Sequence, residues 1–217
     1  MPFAARVADT TGHGIPLSPG PGSLTVMIGK MPAWRALPAG PGPAVEVASN
    51  AMQSFMSVPS PAITPASVQV QLVQIQQGFM QAAGAAAAAG NPAGVAAASA
   101  ALATITATNI SLTAAWTAAS AVPGGLPAAN IAYGEGIKAA LAGAASSVFS
   151  AIGGSTDIHV CPVPCPIPPH GPGVVTKGSS TVMINGLPAA RQGDQVFEAA
   201  GGADPIAMGC TTVQIGG

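Results

Sequence analysis

The sequence predicts a fold that is mainly β with an α insertion: a repeat domain formed by both chain ends, interrupted by an Ala-rich helical block. Two observations carry this. The stretch Ser180-Thr-Val-Met-Ile-Asn-Gly-Leu-Pro-Ala-Ala-Arg191 returns near the N-terminus as Leu24-Thr-Val-Met-Ile-Gly-Lys-Met-Pro-Ala-Trp-Arg35, pairing Thr25 with Thr181, Ile28 with Ile184, Pro32 with Pro188 and Arg35 with Arg191. Between these ends no charged residue occurs from Glu46 to Glu135, and helix starts punctuate the run. Internal repeats of this kind mark a structural unit used more than once.

The β reading rests on the text of the repeats. Leu24 to Ile28, bounded by Gly-Ser and Gly-Lys with β-branched residues alternating, reads as a hairpin limb, and the Thr-Val-Met-Ile text returns at Thr181 to Ile184. A His-Gly pair precedes each copy, His13 twelve residues before Thr25 and His170 eleven before Thr181. A truncated copy closes the sequence at Gly209-Cys-Thr-Thr-Val-Gln-Ile-Gly216, and Pro2-Phe-Ala-Ala-Arg6 echoes Pro188-Ala-Ala-Arg191. Gly and Pro, at 28 and 22 of 217 residues, fit a turn-rich β structure once such strands are present.

Taken in order, residues 1–48 read as the N-terminal part of the repeat domain and 49–63 as a Pro-, Ala- and Ser-rich linker. Thr64-Pro65 is a helix start, with Thr as N-cap and Pro at the first helical position. Val68, Leu72, Ile75 and Phe79 then share one helical face. Asn91-Pro92 opens a second helix running to Val122, broken by Pro123-Gly-Gly125. A third runs from Pro127 to about Ile152, with Ile137, Leu141, Val148 and Ile152 on one face. The insertion therefore spans 64–152, and the repeat domain resumes over 153–217.

Two physical readings compete for the uncharged block. Small Ala side chains let helices approach closely, which suits a compact soluble bundle. An uncharged run of this length also meets the length test for a membrane span. Against the span, Ala, Ser, Thr, Asn and Gln dominate, and the flanks lack the Lys and Arg that set topology.

Six Lys plus Arg against seven Asp plus Glu give a formal net charge of -1, which offers no electrostatic basis for binding nucleic acid or an anionic membrane surface. Three cysteines are too few, and odd in number, for a disulfide framework, so a reducing compartment is expected. The N-terminus shows no basic segment followed by an apolar core, so no signal peptide is expected.

All three histidines, His13, His159 and His170, fall in the repeat regions. His159-Val-Cys161 places two soft ligands on the same side of an extended strand. The proline-stiffened run from Cys161 to His170 would hold them without a large core. Imidazole and thiolate in a tetrahedral set favour zinc, here as a structural clamp. Cys161 is the expected fourth ligand, with Glu198, Cys165 and Cys210 as alternatives for that one place; Cys210 stands at the hairpin end of its repeat, away from the His-Gly end. A catalytic site is not expected. No Ser-His-Asp order, phosphate loop or paired-carboxylate spacing is present, and Asp9, Asp157 and Asp194 lie where turn and ladder contacts are the more natural duty.

With these repeats in hand the chain resembles the PAAR-repeat proteins, the sharpened spike tips of contractile injection machines. The resemblance is carried by Pro188-Ala-Ala-Arg191 followed by Gly193-Asp194, by Asp157-Ile-His-Val-Cys-Pro162, by Pro169-His-Gly-Pro-Gly173 and by the Thr-Val-Met-Ile strands. It covers about 1–35 and 155–217 and leaves the insertion outside. It implies a small conical domain of three-fold-repeated β hairpins, with zinc near the point and a broad base capping a trimeric VgrG-like spike of a type VI secretion system or related phage-tail-like particle. The family's metal set is three His and one Cys, which His13, His159 and His170 match; the family Cys is missing from Val196-Phe-Glu-Ala-Ala-Gly201, so Cys161 is the expected fourth ligand. The resemblance further implies assembly in the bacterial cytoplasm followed by injection into a target cell. The target membrane would be met only in passing, and the insertion would carry an effector, engage a chaperone or itself enter membranes.

Overall fold

The computed structural model describes residues 1–154, 156–164 and 169–217. Among the described residues there are four α-helices and four β-sheets, and helix outweighs strand. The expectation of a mainly β chain is corrected on this point, because the insertion consists of three long helices joined by short turns and a further helix precedes it.

That further helix is α1 (Gly42–Met56), where the sequence reads as strand text and then linker. Pro41 and Pro43 disguise its start, yet proline is tolerated in a first turn because the N–H it lacks has no intrahelical partner there. Val45, Ala48, Met52 and Phe55 recur at helical spacing and are buried.

The three expected helices are present as α2 (Pro65–Ala88), α3 (Pro92–Ser120) and α4 (Leu126–Gly153). A capping box starts α2: Thr64 Oγ1 accepts from the Ser67 N–H at 3.1 Å, and Ser67 Oγ accepts from the Thr64 N–H at 2.8 Å. Asn91 Oδ1 accepts from the Gly94 N–H at 3.0 Å to start α3. The predicted faces of α2 and α4 are buried together, Phe79, Ile137, Leu141 and Val148 at 0 % exposure.

The strands are short. β1 (Phe3–Ala4) pairs with β11 (Cys210–Gln214), β3 (Met27–Ile28) with β4 (Met31–Pro32), and β7 (Met183–Ile184) with β8 (Leu187–Pro188). The two complete hairpins turn through Gly29-Lys30 and Asn185-Gly186, all four with positive φ, as the tight turns of twisted hairpins require. The remaining sheet has the order β10 (Gly202–Pro205), β9 (Gln195–Glu198), β6 (Pro169–Val175), β5 (Ile158–Pro164), β2 (Pro19–Gly20).

Three Arg–Asp clasps repeat one geometry. Arg6 gives its backbone N–H and Nε to Asp9 Oδ2 and its Nη2 to Asp9 Oδ1. Arg191 does the same to Asp194. Arg35 does the same to Asp157, from the far side of the insertion. The residues next to these arginines close a ring of backbone bonds: the Ala5 N–H donates to Ala190 O at 3.0 Å, Ala190 to Trp34 O at 3.0 Å, and Trp34 to Ala5 O at 2.9 Å. Two stretches of the N-terminal part and one of the C-terminal part are thus bonded to one another directly.

The helices do not stand apart. Val174, Phe197, Ala199 and Ala200 of the β part belong to the same core as Phe55, Phe79 and Phe149. Two smaller cores lie beneath the strands, one around Trp34, Leu17 and Val196, the other around Ile28, Ile184 and Ile215.

Candidate metal centre

Each clasp is followed, four residues after its aspartate, by a group that could ligate a metal: His13 after Asp9, Cys161 after Asp157, Glu198 after Asp194. These three converge. Together with His170 they place one ligand atom each within 4.8 Å of one another. Strand β5 turns Cys161 inward, β6 brings His170 opposite, and β9 ends on Glu198. His13 arrives from the segment in which Thr11 bridges Ile206.

The spacing suits a metal. Cys161 Sγ lies 3.6 Å from His13 Nδ1 and 3.7 Å from His170 Nδ1. A tetrahedral zinc with bonds near 2.3 Å to sulfur and 2.0–2.1 Å to nitrogen sets those atoms about 3.6 Å apart. Glu198 Oε2 is 2.6 Å from His170 Nδ1, and Oε1 is 3.5 Å from His13 Nδ1. Glu198 and Cys161 are fully buried, whereas the His13 side chain is 32 % exposed, leaving an approach from one side.

Burial pushes the Cys161 thiol up to about 12, the carboxylates of Glu198 and Asp204 adding to the effect. Burial also acts to raise Glu198, but the neighbouring His159 and Cys161 side chains and the charges of His170 and His13 outweigh it and hold the carboxyl below its usual range. A divalent cation at this point would supply the charge that a buried thiolate beside a carboxylate needs.

His159 takes a different place. It falls in a second group with Glu198 and Asp204. Its Nδ1 is 3.0 Å from the Pro16 carbonyl, and its Nε2 is 3.7 Å from Glu198 Oε1. A ring held through Nδ1–H by a carbonyl keeps its Nε2 lone pair free for a metal. Of the four residues expected as ligands, His13, Cys161 and His170 fall in the first group together with Glu198, and His159 falls in the second, which shares Glu198. Cys210 lies in the core under the hairpins, with Ile28 and Ile215. Cys165 lies outside the described residues.

Asp204 was not anticipated. Its Oδ2 is 3.0 Å from His13 Nδ1, and its Oδ1 accepts from the His13 N–H at 3.2 Å. A carboxylate amid strand text, in a chain with seven acids, was the available signal. Backbone shape matters as well: a Cβ on Gly201 would sit 2.2 Å from Glu198 Oε2 and 2.4 Å from His170 Nδ1, so only glycine fits behind this pair.

A family profile described as the PAAR motif matches residues 150–196 and again residues 167–217, the part of the chain that supplies Cys161, His170 and Glu198. No curated protein and no solved structure matches the chain.

Proposed function

We propose that this chain, a PAAR-repeat protein, caps the trimeric VgrG-like spike of a type VI secretion apparatus or related contractile particle as a conical, three-fold-repeated tip. The observation that carries the reading is the closed ring of backbone bonds among Ala5, Trp34 and Ala190. One polypeptide thereby offers three like edges, which is what a single cap on a three-fold partner needs. The next residues repeat the pattern, with Val7 donating to Pro32 O, Ala36 to Pro188 O and Gln192 to Phe3 O. Met27 and Met183, at matching places on two hairpins, are more than half exposed and give apolar contact for the spike's last strands.

The centre holds structural zinc through His13, Cys161, His170 and Glu198. The ion supplies a cross-link between the N-terminal and C-terminal parts of the repeat domain. The residues themselves do the remaining work. The proline-rich strands stiffen the point, and the Arg–Asp clasps lock each segment against its neighbour. The role is mechanical: thrust from a contracting sheath falls on a small area that resists unfolding. Assembly takes place in the cytoplasm, and the tip leaves with the spike to meet the target membrane in passing. The helical unit serves as the mount for an effector or chaperone.

The test is the mass of the complex formed with a trimeric spike protein. One chain per three spike chains is expected; no complex, or one chain per spike chain, would contradict the cap.

A second reading has its own observation. Helices α3 and α4 are long and apolar enough to cross a membrane, and most of α3 is exposed. In this reading the helical unit is an effector that enters membranes. Binding of the full chain to lipid vesicles, with α3 protected from protease, would favour it; a chain that stays in the aqueous fraction would remove it.

A further inference from the structure

Six groups able to ligate a metal converge at the point of the β part: His13, His159, Cys161, His170, Glu198 and Asp204. One tetrahedral ion takes four ligands. The surplus is not spread over the surface. Among the described residues, the buried side-chain atoms without a hydrogen-bond partner include His159 Nε2, Glu198 Oε1 and Asp204 Oδ2, all from residues at 0 to 1 % exposure. These residues are the members of the second group. Buried polar groups are ordinarily paired, so His159 Nε2 and Glu198 Oε1, unpaired and side by side, and Asp204 Oδ2, with only the His13 ring at 3.0 Å, call for a further partner.

His13 makes the case sharper. Its Nδ1 stands 3.6 Å from Cys161 Sγ and 3.0 Å from Asp204 Oδ2. That nitrogen can carry a proton for Asp204 or a lone pair for a metal beside Cys161, but not both. Once it ligates, Asp204 loses this donor. The Pro16 carbonyl meanwhile holds the proton of His159 on Nδ1, which turns the Nε2 lone pair into the same space. Glu198 faces both groups: Oε2 is close to His170, and Oε1 lies 3.7 Å from His159 Nε2.

We propose that the centre takes a second divalent cation, held by His159 Nε2, Asp204 and Glu198, with Glu198 shared between the two ions. The inference rests on the reading of a first ion at Cys161. One nitrogen and two carboxylates form a harder set than one containing thiolate, so the second ion binds more weakly and exchanges more readily.

Equilibrium dialysis of the metal-stripped full chain against zinc, with elemental analysis, tests it. About two ions per chain are expected, falling to about one in Asp204→Asn and in His159→Gln, against the four-ligand norm for each ion. Cobalt(II) separates the two centres, because only the first carries a thiolate. Its charge-transfer band should survive in both variants and vanish in Cys161→Ser. A single ion in the unaltered chain, or two ions retained in both variants, overturns the second centre and leaves the first standing if the thiolate band is present. No zinc and no thiolate band would remove the first centre as well.

Discussion

Arg35 holds Asp157 across 122 positions of sequence, through its backbone N–H at 2.7 Å, Nε at 3.0 Å and Nη2 at 2.8 Å. Within the other two clasps the same contacts span three residues. All four helices therefore lie between the two halves of one clasp. The hydrogen bonds and charge of Asp157 outweigh burial and raise the Arg35 guanidinium above its ordinary value.

Breaking this clasp should cost more than breaking a local one. Asp157 is fully buried, and Asp157→Asn leaves the Arg35 charge without its counter-ion. A loss of about 3–5 kcal/mol is expected for a pair opened from one side. Chemical denaturation measures it, with Asp9→Asn as the comparison. The Asp9 clasp has a more exposed arginine and should lose less.

Gly201 tests how tightly the metal centre is packed. A methyl group there would overlap the Glu198 and His170 side chains, so Gly201→Ala should lower both zinc affinity and Tm. Overpacking of this kind costs about 1–3 kcal/mol. Zinc titration followed by a thermal melt reads both effects.

Two glycines of α4 should respond with opposite sign. A Cβ on Gly134 would lie 2.5 Å from the Ser60 carbonyl oxygen, whereas one on Gly143 meets nothing within 4 Å. Gly134→Ala should destabilise by about 1–3 kcal/mol through the clash. Gly143→Ala should stabilise by about 0.5–1 kcal/mol, the cost of glycine inside a helix. Melting curves of the two variants give the signs.

Zinc uptake should release protons. With Cys161 pushed up to about 12 by burial, the metal-free thiol is protonated at neutral pH and must ionise to ligate. Affinity should therefore rise with pH. Calorimetry in buffers of differing ionisation enthalpy should show at least one proton leaving per chain on zinc saturation, and Cys161→Ser should remove that contribution.

Legibility in the sequence followed from how local each signal was. Thr64-Pro65 and Asn91-Pro92 carry cap and first-turn proline together, so α2 and α3 start where expected. Helix α1 escaped because its prolines resemble linker text, although Val45, Ala48, Met52 and Phe55 kept the helical spacing. His13, Cys161 and His170 were legible from the repeats. Glu198 stood at the edge of recognition, because its equivalence to His13 and Cys161 depends on counting from three aspartates, one of them beyond the insertion. Asp204 offered only a carboxylate amid strand text. Its partner His13 lies 191 positions away, and only the folded sheet brings them together.

The account turns on residue 13 and the last third of the chain holding the same ion, and zinc-dependent melting tests this most directly. Zinc should raise the Tm of the metal-stripped full chain by several degrees, as mass action requires of a ligand bound only to the folded state. His13→Ala should remove most of that rise. An equal rise in His13→Ala would contradict the account.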